Sequence, residues 1–116
     1  FKGYLKRDDE EGGGAELVAI KKARIEGDKE DIMNKIREQV LQEAKLFWTL
    51  RHSNIIQLIG ICLEEPNFCL IMEYAKGGSL GRLLSVRKNG FPPYVLIKWA
   101  IQVSQCMYYL HEQALP

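Results

Sequence analysis

An apolar strand ending in lysine, followed 22 residues later by a glutamate on the apolar stripe of a helix, constrains this chain more than any other feature. The strand is Leu17-Val18-Ala19-Ile20-Lys21. Its alternation puts Leu17, Ala19 and Lys21 on one face and Val18 and Ile20 on the other. Downstream, Val40-Leu41-Gln42-Glu43-Ala44-Lys45-Leu46-Phe47 reads as helix. At helical spacing Ile36, Val40, Glu43, Phe47 and Leu50 share one face, the stripe that turns toward a core. A carboxylate on such a stripe is costly to desolvate unless a cation meets it, and Lys21 is the best candidate. A lysine held by a glutamate beside a strand layer is a way to hold phosphates.

Around that pair the chain reads as strands, one long helix, strands again and then helices. Phe1 to Leu5 is a short strand. Lys6 to Gly14, with the acidic run Asp8-Asp9-Glu10-Glu11 and then Gly12-Gly13-Gly14, is a polar hairpin connection. A phosphate loop needs a helix N-terminus after its glycines. A strand follows these, so they are read as a solvated loop. Glu16 to Ala23 is the second strand and Arg24 to Lys29 a turn containing Gly27. Asp28 or Asp31 caps the long helix, which runs to about Leu50. Ile55 to Leu63 is apolar and β-branched, hence a strand. Glu64 to Asn67 is a turn, and Phe68 to Tyr74 is the next strand. An antiparallel meander is expected. Lys76-Gly77-Gly78 then breaks the pattern. Ser79 caps a short helix from Leu80 to about Val86, and Pro92-Pro93 opens a second long helix. That helix carries the stripe Leu96, Trp99, Ala100, Val103, Met107 and Leu110, a face wide enough to need partners. The fold class is α+β, with a strand-plus-helix part over residues 1–75 and a helical part over 76–116.

At 116 residues, 47% hydrophobic and 27% charged, the composition is that of one small globular domain. A net charge of +1 gives no field to attract nucleic acid or an anionic membrane. The apolar runs, such as Ile61-Cys62-Leu63 or Tyr94 to Ile97, fall far short of a membrane span. Cys62, Cys69 and Cys106 are odd in number, lack C-x-x-C spacing and each lie in an apolar run. They read as buried reduced thiols of a cytoplasmic protein, with a reactive thiol or a metal ligand as the minor reading. His52 and His111 have no metal-like spacing to them, so no metal site is expected in the chain. The first residue is Phe1, no signal peptide is visible and the last helix lacks a cap, which suggests a piece of a larger domain.

The order of motifs resembles the protein kinases. Val18-Ala19-Ile20-Lys21 matches their V-A-I-K strand, and Glu43 fits the glutamate of the helix they call αC. His52-Ser53-Asn54-Ile55-Ile56 resembles the H-P-N-I turn after that helix, with Ser53 in place of proline. Phe68 to Ala75 followed by Gly77-Gly78-Ser79-Leu80 looks like the fifth strand, the hinge and the start of αD. Tyr109-Leu110-His111 resembles the Y-L-H that closes αE. Gln42-Glu43-Ala44-Lys45-Leu46-Phe47, Gly60-Ile61-Cys62-Leu63 and Met72-Glu73-Tyr74-Ala75 are similar to the mixed-lineage kinases of the tyrosine-kinase-like group.

The resemblance implies an antiparallel kinase N-lobe without its first strand, then a hinge and the first two C-lobe helices. It implies ATP as cofactor: Lys21 on the α- and β-phosphates and Glu43 orienting Lys21. Ala19 would touch the adenine face and Met72 would be the gatekeeper. The Glu73 carbonyl and the Ala75 amide, flanking Tyr74 in the hinge, would read the adenine edge. Leu80 would pack beneath the adenine. Ser79 is most simply an N-cap, with a ribose contact as the alternative. Phe47 and Leu58 resemble two members of the regulatory hydrophobic spine. The Gly-rich loop, H-R-D and D-F-G are absent, so the Mg2+ ligands are expected outside this chain, and the isolated chain is expected to be inactive. The parent would phosphorylate protein hydroxyls, serine or threonine, in a MAP-kinase-type cascade. Protein substrates are its implied partners, with a dimer possible through other regions. Two rival readings stay open. One is a non-catalytic interaction module, either a pseudokinase or a truncated isoform. The other is a piece of a tyrosine kinase.

Overall fold

A computed structural model describes residues 2–5, 14–27 and 30–114. The acidic run, the first two glycines of the triplet and Asp28 lie outside the described residues. The chain divides into two compact units: Phe1–Leu50 with Ile56–Tyr74, and Arg51–Ile55 with Ala75–Pro116.

The first unit holds strands β1 (Lys2–Leu5), β2 (Glu16–Lys22), β3 (Leu58–Cys62) and β4 (Cys69–Glu73), with helix α1 (Glu30–Trp48) between β2 and β3. All three strand pairings are antiparallel, as expected, but the order is β1-β2-β4-β3 rather than a meander. β4 is an unbroken apolar run, Cys69-Leu70-Ile71-Met72, and it takes the inner position, where both of its edges are paired. β1 comes very close to β2 because Gly3 has no side chain. A Cβ there would stand 2.5 Å from the Ile20 Cδ1.

The core lies between α1 and one face of the sheet. Ile36, Val40 and Ala44 from α1 meet Leu58, Phe68 and Leu70, with Phe47, Ile61 and Met72 packed at the margin. The steps of four from Ile36 through Val40 to Ala44 define the buried line. The expected stripe is corrected on this point. Ala44, not Glu43, occupies the centre, and Glu43 is exposed on the shoulder of the helix. Asp31 also departs from expectation. It lies inside the first turn rather than capping it, where with Glu30 it complements the positive end of the helix dipole. The strand expected from Ile55 begins only at Leu58, because Ser53–Ile55 is occupied by a turn closed by Ile55 N–H to the His52 carbonyl, 3.1 Å.

The second unit contains α2 (Leu80–Val86), α3 (Pro93–Tyr109) and a π-helical turn, Leu110–Ala114. Gly78, at φ +73°, takes the left-handed turn that leads into α2. Ser79 caps α2, its Oγ accepting from the Arg82 N–H at 3.2 Å. Pro93 takes the first turn of α3, where a missing N–H costs nothing. The segment Arg51–Ile55 is fastened to α3. The Arg51 N–H donates to the Tyr109 hydroxyl at 2.8 Å. Asn54 Nδ2 donates to the Gln102 carbonyl at 3.4 Å and to Gln105 Oε1 at 3.2 Å. Cys106 Sγ donates to the Asn54 carbonyl at 3.1 Å. His52 braces the turn, accepting from the Asn54 N–H at 3.0 Å and lying 5.2 Å from the Tyr109 ring. No residue of α2 or α3 is buried, and Ile101, Val103 and Met107 stand more than two-fifths exposed.

Candidate functional site

β2 and α1 bring Lys21 and Glu43 together. Lys21 Nζ donates to Glu43 Oε1 at 2.6 Å, a charge-assisted bond across 22 residues of sequence. Lys21 shares its sheet face with Leu17 and Ala19, because register pairs Lys21 with Leu70 and Ala19 with Met72, both of which turn toward α1. The pair forms where the end of that face meets the shoulder of α1. Its side chains are 59% and 52% exposed, so the cation is pinned in direction yet open to an anion from solvent. An ammonium has three donors and Glu43 needs one of them.

Ala19 and Met72 lie directly opposite each other on neighbouring strands, forming a small apolar patch two register positions along from Lys21, on the same face. Glu73 ends β4 opposite Val18. Its backbone N–H donates to the Gln57 carbonyl at 2.9 Å, and its carboxylate accepts from the Gln57 N–H at 3.2 Å. Gln57 was not legible as a partner, since nothing in its neighbourhood repeats or spaces like a motif. Tyr74 lies under the Lys2 ammonium, 5.2 Å from nitrogen to ring centroid, and its hydroxyl beside that ammonium raises the Lys2 pKa above its ordinary value. Ala75, Ser79 and Leu80 belong to the second unit. The Ala75 carbonyl accepts from the Gly78 N–H at 3.3 Å, Ser79 is engaged as a cap and Leu80 opens α2 with 46% exposure. Among the described residues, no three His, Cys, Asp or Glu side chains gather to hold a metal ion. No described helix is long and apolar enough to cross a membrane.

A strand lysine paired to a helix glutamate, on a sheet ordered β1-β2-β4-β3, defines the class. The chain belongs to the protein tyrosine and serine/threonine kinase family, which it matches over residues 1–115. Within that family it is similar to mitogen-activated protein kinase kinase kinase 11 of Homo sapiens, 55% identical over 100 residues, covering 86% of this chain and 11% of the relative. It is 54% identical over 99 residues to a mitogen-activated protein kinase kinase kinase of Drosophila melanogaster, covering 85% of this chain and 8% of that protein. Against kinase kinase kinase 10 of Mus musculus it is 50% identical over 99 residues, covering 85% and 10%. The chain thus spans about a tenth of the length of these relatives. The α+β kinase fold and the mixed-lineage resemblance read from the motifs both hold.

Proposed function

We propose that this chain is the nucleotide-holding part of a protein kinase that transfers the γ-phosphate of ATP to serine or threonine hydroxyls of a protein substrate. The carrying observation is the Lys21–Glu43 ion pair at 2.6 Å. In this reading Lys21 holds the α- and β-phosphates and Glu43 keeps its side chain extended toward them. Ala19 and Met72 line the adenine, and the Glu73 carbonyl and Ala75 amide read its edge across Tyr74. Leu80 packs beneath the base and Ser79 stands near the ribose. Residues 1–75 act as the N-lobe side and 76–116 as the start of the helical lobe. In this reading the Mg2+ ligands are those of the family's catalytic-loop and D-F-G motifs, which this segment does not carry. The names of the relatives support a substrate of the MAP kinase kinase class, and the three free thiols favour a cytoplasmic site of action.

Lys21→Met tests this in the complete kinase domain that carries this segment, with labelled ATP and a protein substrate. The expected loss in kcat/KM is roughly 10²-fold or more, the cost of removing one preorganised charge donor. Unchanged transfer by Lys21→Met overturns the phosphate role, and no transfer by the unsubstituted domain leaves the interaction-module reading in its place. The 116-residue chain alone is expected to incorporate no phosphate above the Lys21→Met control.

A further inference from the structure

The β3–β4 hairpin carries a pair of thiols that the nucleotide site does not use. Cys62, the last residue of β3, stands directly opposite Cys69, the first residue of β4. Opposed residues on antiparallel strands point to the same face with Cα atoms about 4.5–5.5 Å apart. A disulfide spans Cα separations of about 4.4–6.8 Å, so either kind of antiparallel pair places two cysteines within bonding range. Both are free thiols here. Register adds Lys22 of β2 opposite Cys69, so one row across three strands reads Lys22, Cys69, Cys62. The Phe68 and Leu70 side chains are in the core against α1, which places this row on the other face of the sheet.

We propose that Cys62 and Cys69 are a redox modification site, closed to a cross-strand disulfide by a peroxide. Cys62 is half-buried and Cys69 only 7% exposed, so the oxidant meets Cys62 first. The Cys62 thiolate attacks one peroxide oxygen. The O–O bond breaks, sulfur is oxidised to the sulfenic acid, and the departing hydroxide takes up a proton as water. The Cys69 sulfur then attacks the Cys62 sulfur. The S–O bond breaks, the S–S bond forms, and the leaving hydroxide takes the Cys69 proton as a second water. The balance is two thiols and one hydrogen peroxide to one disulfide and two waters. Burial pushes the Cys69 thiol up, the adjacent Cys62 thiol adds to that, and the Cys62 N–H and the Lys22 ammonium oppose it. Cys69 therefore suits the resolving role rather than the attacking one. Cys106 is in the other unit, its thiol donating to the Asn54 carbonyl, and it serves as an internal control.

The test treats the folded, reduced chain with hydrogen peroxide, blocks remaining thiols with iodoacetamide, and reads intact mass and the cross-linked peptide. The expected product has lost two hydrogens and two alkylatable thiols, with Cys62 joined to Cys69 and Cys106 still alkylated. Dithiothreitol returns all three thiols. Cys62→Ser is expected to keep Cys69 alkylatable through the same exposure, and Cys69→Ser to stop at an oxidised Cys62 monomer that dimedone traps. Pairing of either cysteine with Cys106, or Cys62 carried to the sulfinic acid beside an alkylated Cys69 in the unsubstituted chain, overturns the proposal. So does full alkylation of all three after exposure.

Discussion

The Lys21–Glu43 bond is short, yet both side chains are more than half exposed. Exposed pairs contribute about 0.2–1 kcal/mol, so this one orients a cation more than it stabilises a fold. Glu43→Gln should therefore separate two readouts. Urea unfolding of the chain should shift by less than about 1 kcal/mol. Phosphoryl transfer by the complete domain should fall roughly ten- to a hundredfold, the scale seen when the partner orienting a ligand-holding group is lost. A large stability loss with transfer intact would show that the pair is structural. The pairing was legible because a strand-end lysine and a helix glutamate are each placed by local spacing. The exposure of Glu43 was not, since Ala44 is small enough to be overlooked as the residue that seats against the sheet. Cys69 gives a second residue-scale expectation. Burial raises its pKa, so the folded chain keeps that proton after the unfolded chain releases it. Its contribution to stability is then full at neutral pH and is lost as pH climbs above about 8.5. Urea midpoints at neutral and alkaline pH should fall more for the reduced chain than for Cys69→Ala.

Among the elements, β4 does most to organise the first unit. It pairs with β2 on one edge and β3 on the other, and Phe68, just before it, is 1% exposed. Phe68→Ala should cost about 3–5 kcal/mol, a large share of what a small unit possesses. Urea denaturation followed by tryptophan fluorescence and circular dichroism checks this, and a loss below about 1 kcal/mol would mean that the site collapses around the missing ring. The strand was readable from its apolar run and the turn before it. Its place in the sheet was not, because sequence order favours neighbours pairing with neighbours and here α1 intervenes. α2 was readable down to its Ser79 cap, since capping is chemistry within one turn.

At the scale of the whole molecule, the two units differ in how much they bury. The first has Leu58, Phe68 and Leu70 at 3% exposure or less, whereas α2 and α3 bury no residue. Amides of β4 and α1 should thus be protected from hydrogen exchange about tenfold or more beyond those of α3. Equal protection would mean that α3 shares the cooperative unfolding of the sheet. The Tyr109, Asn54 and Cys106 contacts hold Arg51–Ile55 to α3 and should make that loop the slowest-exchanging part of the second unit. Local periodicity and spacing were enough to establish the strand and helix types, the long-range match of Lys21 to Glu43 and the kinase ancestry, because each is carried by a short window or a fixed interval of chain. The insertion of β4 between β2 and β3, the outward turn of Glu43 and the opposition of Cys62 to Cys69 were settled by packing. They depend on which distant strands exchange hydrogen bonds and which side chain fills the core, and no window of sequence holds both partners of that competition.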